Sequence, residues 1–144
     1  MSQTFLTQSK EETQRIAADF AKTLRGGEVI ALVGDVGAGK TTFTQGLVAA
    51  LGSTSRVKSP TFAVLHEYPV VQHATITRVV HIDFYRFTSP EEVRALELDE
   101  YRNGSTVIIA EWPNIFEQDV LQATITLHFS HLHADEREIV IYGD

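Results

Sequence analysis

The sequence predicts one α/β domain over residues 1–144, with a central mixed sheet, a parallel core plus antiparallel strands, and flanking helices. Three patterns point there. Val29-Ile30-Ala31-Leu32-Val33 is an apolar run that enters a glycine-rich turn and then a helix-forming stretch. Ser105-Thr106-Val107-Ile108-Ile109-Ala110 is a near-continuous apolar run, as expected of a parallel strand covered on both faces. Two strand-like runs, 62–68 and 76–82, are joined by a short connection containing Pro69, and such neighbours pair antiparallel. At 144 residues the chain is long enough for one core and too short for a second folded unit.

In chain order, residues 10–25 place Ile16, Phe20 and Leu24 four apart beside Ala17 and Ala21, one face of an amphipathic helix. Ser9 is its N-cap, Glu12 completes a capping box, and Gly26-Gly27 ends it. The strand at 29–33 follows, then the glycine-rich turn and a helix over Thr42–Leu51. Gly52-Ser53-Thr54-Ser55 reads as a loop, and Pro60 keeps Lys58-Ser59-Pro60-Thr61 extended at its start. After the antiparallel pair, Ser89 caps a helix with Pro90 in the first turn and Glu91 and Glu92 at its positive end. Val93, Leu96 and Leu98 form the apolar side of that helix. The buried strand at 105–110 exits through Glu111-Trp112-Pro113, and β-like runs at 123–130 and 138–142 close the chain.

The turn after the first apolar run, Gly34-Asp35-Val36-Gly37-Ala38-Gly39-Lys40-Thr41, fits G-x-x-x-x-G-K-[ST] in the required strand-to-helix context. Its backbone N–H groups and the positive helix end converge on one point, where a polyphosphate can sit. Lys40 reaches the β- and γ-phosphates in such a loop, and the Thr41 hydroxyl ligates Mg²⁺. The expected fold is therefore a single-domain P-loop NTPase, with residues Asp35 to Thr42 around the nucleotide.

A phosphate loop alone only binds, so acids must hold the magnesium. Asp83 directly follows the run Val79-Val80-His81-Ile82, and Glu111 closes the run at 105–110. Parallel strands deliver ligands at their carboxyl ends, so two strands offer carboxylates to one edge and at least one is expected on the metal. Asp83 alone would read as a turn cap. Ser59-Pro60-Thr61 lies at the distance of a switch loop from the phosphate loop, though alone it is an ordinary turn. Trp112, the single tryptophan, is open between a place beside the nucleotide and the core. His128, His131 and His133 lack a carboxylate at ligand spacing and read as solvated rather than as a zinc site.

Composition narrows the function classes. The net charge of −7 and the scattered arginines lack the basic stripe of a protein that grips nucleic acid unaided. With 0 cysteines there is no disulfide, thiolate metal site or cysteine nucleophile. No apolar run approaches the roughly 18 residues of a membrane span, and the start lacks the basic end and apolar core of a signal peptide. A cytoplasmic protein without membrane contact is expected. No N-K-x-D guanine-reading pattern occurs, which favours ATP over GTP.

Taken together, Gly34 through Thr42, Val57-Lys58-Ser59-Pro60-Thr61-Phe62, His81-Ile82-Asp83-Phe84-Tyr85-Arg86, Pro90-Glu91-Glu92 and Glu111-Trp112-Pro113 resemble the bacterial TsaE (YjeE) family. That family is the ATPase component of tRNA threonylcarbamoyladenosine (t6A) biosynthesis. The resemblance covers about residues 10–115 in order and spacing; Phe62 stands where the family often has Tyr. It implies ATP and Mg²⁺ as ligands, TsaD and TsaB as partners, and tRNA reached only indirectly, at adenosine 37. It further implies Thr41 and Glu111 as metal ligands, Asp83 as the Walker-B-type acid, and Thr61 in a switch I-like loop.

Asp83 is followed by Phe84 rather than Glu, and no arginine stands out as a finger, so slow ATP hydrolysis completed by partners is expected. Two other classes fit a phosphate loop: a small-molecule kinase, for which the chain is short and its arginines dispersed, and a non-hydrolytic nucleotide-sensing module.

Overall fold

The computed structural model describes residues 2–34, 38–53, 65–84, 89–111 and 121–143. Its elements are β1 (Ser2–Thr7), α1 (Lys10–Ala21), β2 (Val29–Gly34), α2 (Lys40–Ala50), β3 (Leu65–Pro69), β4 (Arg78–Asp83), α3 (Pro90–Arg94), a 3₁₀ turn (Leu98–Tyr101), β5 (Thr106–Glu111), β6 (Ile125–His131) and β7 (Arg137–Gly143). The described strands form one sheet in the order β1-β7-β6-β2-β5-β4-β3. Its centre is parallel: β4 pairs with β5, β5 with β2, and β2 with β6. Antiparallel strands complete both flanks, β3 on β4 at one side and β7 then β1 on β6 at the other. This is the mixed sheet with a parallel core and antiparallel additions that the sequence predicts.

The sheet is covered on two faces because side chains alternate along each strand. Ile30, Leu32, Val79, Val107, Ile109 and Leu127 point to the face under α1 and α2. Val29, Ala31, Val80, Ile82, Ile108 and Ala110 point to the other, where Leu98 and Leu121 pack. Every residue of β5 is buried, as its unbroken apolar run requires.

Ser9 caps α1 through its hydroxyl, which accepts from the Glu12 N–H at 3.1 Å. The Glu12 carboxylate accepts in turn from the Gln8 N–H at 2.9 Å, one residue before the position a standard capping box would use. The helix ends at Ala21, short of the expected residue 25, and continues as a tighter turn in which Thr23 N–H and Leu24 N–H donate to Phe20 and Ala21 carbonyls. Leu24 keeps its place in the core. Helix α2 approaches α1 closely at Gly46, where a Cβ would stand 2.8 Å from Gln14 Cα.

Two differences from the expected elements have clear causes. Strand β1 is a sheet edge with mostly exposed side chains, so it lacks the apolar alternation that marks a strand, and its pairing with β7 comes from the far end of the chain. Helix α3 stops at Arg94, because Glu97 adopts a left-handed backbone (φ 53°) and Leu98 starts a 3₁₀ turn instead of continuing the apolar face.

Candidate functional site

The site is built where β2 runs into α2. Gly34 ends β2 with φ 149°, and a Cβ there would stand 2.3 Å from the Phe129 carbonyl oxygen, so β2 and β6 meet at a spacing only glycine allows. Gly39 is the N-cap of α2 in a left-handed conformation, and no side chain caps the helix. The first turn of α2 also carries no acid. Within the first turn, its leading N–H groups and positive end therefore have no competing negative side chain among the described residues.

Lys40 is the first residue of α2 and is 5% exposed, with its Nζ donating to the Gly34 carbonyl. The ammonium thus folds back across the loop from helix to strand. Thr41 and Thr42 follow on the first turn, both half-buried. Ala38 is buried at the loop's end. Asp35, Val36 and Gly37, expected around the nucleotide, lie outside the described residues, as do Thr61 and Trp112.

Asp83 and Glu111 are the last residues of β4 and β5 and stand directly across from each other in the parallel ladder. Glu111 is also paired with Leu32 of β2, two residues before the glycine that opens the loop. In-register partners project to the same side of a sheet. Leu32 belongs to the face under α1 and α2, so both carboxylates are on the side that carries Lys40 and Thr41. Strand β5 intervenes between β2 and β4, which makes Glu111 the nearer acid to the loop strand.

The two acids differ in surroundings. Asp83 is half-buried, whereas Glu111 is 3% exposed and its Oε1 lies 3.1 Å from His81 Nε2. His81 is fully buried, and its Nδ1 has no hydrogen-bond partner among the described residues. The sequence reading did not single out this histidine. A signal existed: His81 is two residues before Asp83 and so shares its face, and a parallel neighbour strand brings it diagonal to Glu111.

Two carboxylates and a threonine hydroxyl are hard oxygen donors, the set magnesium takes together with substrate phosphates. Among the described residues, no group of three or more His, Cys, Asp or Glu is arranged to hold a metal unaided. His128, His131 and His133 are exposed; the His128 ring meets Tyr142 edge-on and His131 Nε2 lies 2.8 Å from the Ala134 carbonyl oxygen.

A glycine-rich β-to-α turn beside two carboxylate-bearing parallel strand ends defines a P-loop-like α/β protein. Comparison with known proteins narrows that class. The family model described as "Threonylcarbamoyl adenosine biosynthesis protein TsaE" matches residues 7–139, and the chain belongs to this family. Among similar relatives, the tRNA threonylcarbamoyladenosine biosynthesis protein TsaE of Bacillus subtilis is 39% identical, over 92% of this chain and 80% of its own. The protein of the same name from Aquifex aeolicus is 34% identical, over 95% and 93%. The crystal structure of YdiB from Bacillus subtilis superposes with a TM-score of 0.74 at 32% identity, covering 98% of this chain and 84% of that one. No described helix is long and apolar enough to cross a membrane.

Proposed function

We propose that this chain binds ATP with Mg²⁺ at the β2–α2 loop and hydrolyses it in the service of forming the threonylcarbamoyl group on adenosine 37 of tRNA, acting in the cytoplasm with TsaB and TsaD. The observation that carries this reading is the shared face: Lys40 and Thr41 at the start of α2, and Glu111 and Asp83 at the ends of β5 and β4, all border one sheet edge. Membership of the TsaE family supports the biosynthetic role.

In this reading Lys40 exchanges its bond to the Gly34 carbonyl for the β- and γ-phosphate oxygens, so the resting contact preorganises the ammonium close to where charge develops. The N–H groups at the open end of α2 bind the phosphates, and Thr41, Asp83 and Glu111 hold the cation. When bound, Mg²⁺ neutralises charge on the β- and γ-oxygens. The residue after Asp83 is Phe84, which is buried and cannot position a water, so turnover by the isolated chain is slow and partners complete the site.

Titration with a fluorescent ATP analogue, with and without Mg²⁺, followed by phosphate release alone and with TsaB and TsaD, tests this. Saturable, magnesium-strengthened binding and partner-stimulated release are expected. Absence of saturable binding, or release equally fast without partners, contradicts the reading; transfer of phosphate to an added small acceptor would identify a kinase instead.

A further inference from the structure

The geometry points to His81 as a positioning residue: its Nε2–H holds Oε1 of Glu111 so that the other carboxylate oxygen is presented to a metal-bound nucleotide. This rests on the reading of Glu111 as a cation ligand given above.

Four observations converge on it. An ionised carboxylate only accepts, so with Glu111 as a cation ligand the hydrogen of the 3.1 Å contact belongs to His81 Nε2. Core histidines ordinarily have both nitrogens satisfied, yet here Nδ1 has no partner among the described residues, so the bond to Glu111 is the polar contact the imidazole makes there. The ring is braced from behind: the Tyr68 ring centroid is 6.3 Å away, and His66 stacks on Tyr68 at 6.2 Å with an interplanar angle of 16°. Finally, Glu111 stands between Leu32 of the loop strand and Asp83, in the middle of the line that faces α2.

A glutamate has three side-chain torsions, and burial of its stem alone does not choose which way the carboxylate oxygens turn. One hydrogen bond from a buried, braced imidazole selects one arrangement before any ligand arrives. This is the outer-partner logic of metal sites, with the roles exchanged: histidine orients and carboxylate ligates. A purely structural histidine would affect folding alone, whereas a positioning one affects how strongly the cation improves nucleotide binding.

The test measures the affinity of the full chain for a fluorescent ATP analogue with Mg²⁺ and with EDTA, in wild type, Glu111→Gln, His81→Gln and His81→Leu. The ratio of the two affinities is the readout. His81→Leu is expected to lower that ratio about tenfold while the EDTA affinity stays unchanged. His81→Gln, whose amide nitrogen can occupy the Nε2 position, is expected to restore most of it. A His81→Leu ratio equal to wild type overturns the inference, provided Glu111→Gln lowers its own. If Glu111→Gln leaves the ratio unchanged, the ligand role of Glu111 fails and the inference with it. A second measurement needs no replacement at position 81: in ¹⁵N-histidine-labelled protein the His81 Nε2 resonance is expected to shift when the Mg²⁺ complex of the analogue binds but not when the metal-free analogue does. Identical shifts in both cases overturn the inference even where His81→Leu fails to fold.

Discussion

Asp83 and Glu111 are register partners at the ends of adjacent parallel strands, yet only Glu111 is enclosed, at 3% exposure, with a histidine at hydrogen-bond distance. The two acids thus occupy unlike surroundings at one end of the sheet. Glu111 lies between β2 and β4 and is fixed by the core, whereas Asp83 is the half-buried outer member.

That difference predicts unlike costs of truncation. Glu111→Ala leaves His81 buried without its acceptor and is expected to cost about 1–3 kcal/mol of stability. Asp83→Ala, at a half-buried strand end, is expected to cost less than Glu111→Ala. Both are expected to lower magnesium-dependent ATP turnover on the order of a hundredfold. Urea unfolding and phosphate-release assays on the two variants check this, and equal stability losses would contradict it.

Much of this arrangement is readable in the sequence, and the reason is locality. The capping of α1, the apolar strand into the glycine turn and the buried run of β5 are each set by residues within one element, and acids at the ends of two parallel strands meet by topology alone. What sequence leaves unread depends on distant partners or on single backbone angles. Strand β1 exists through its pairing with β7, more than a hundred residues away. Leu96 keeps helical spacing from Val93, but Leu98 stands five residues on, off that face, and the left-handed Glu97 ends the helix that the apolar residues suggest. The His81–Glu111 contact spans two strands, and neither residue alone announces the other.

Lys40 provides a separate check on the loop. Replacing it with Met keeps a long apolar stem and removes the donor to the Gly34 carbonyl. The expected stability change is about 1.5–3 kcal/mol, the range for a hydrogen bond made by a charged group. ATP-analogue affinity is expected to fall at least tenfold and turnover to vanish, as measured by fluorescence titration and phosphate release. Retained affinity in Lys40→Met would remove the ammonium from the phosphate site.

Gly46 tests the packing that sets α2 against α1. In an exposed helix interior, glycine to alanine stabilises by roughly 1 kcal/mol. Here the added Cβ would stand 2.8 Å from Gln14 Cα and 2.9 Å from the Gln14 carbonyl oxygen, both backbone atoms that cannot swing aside. The sign therefore reverses, and Gly46→Ala is expected to lower stability by about 1–3 kcal/mol through forced separation of the helices. Thermal or urea unfolding decides it; a stabilised variant would mean that the two helices are free to part.

Phe129 links core packing to the two glycines between β2 and α2. Its ring is buried and meets Phe43 of α2 edge-on, with centroids 5.5 Å apart and planes at 79°. Its carbonyl oxygen faces the position where Gly34 would carry a Cβ, and its ring edge lies 3.9 Å from the corresponding position at Gly39. One residue of β6 thus backs both glycines that frame the loop. Phe129→Ala is expected to cost about 3–5 kcal/mol by opening a cavity beneath α2. It is also expected to weaken ATP-analogue binding several-fold, because the N–H groups at the start of α2 lose their fixed spacing from β2. The magnesium-dependent gain should survive, since Asp83 and Glu111 are held by other strands. Unfolding curves and analogue titrations with and without Mg²⁺ separate these effects, and loss of the magnesium gain together with affinity would show that the loop and the acids do not act as separate supports.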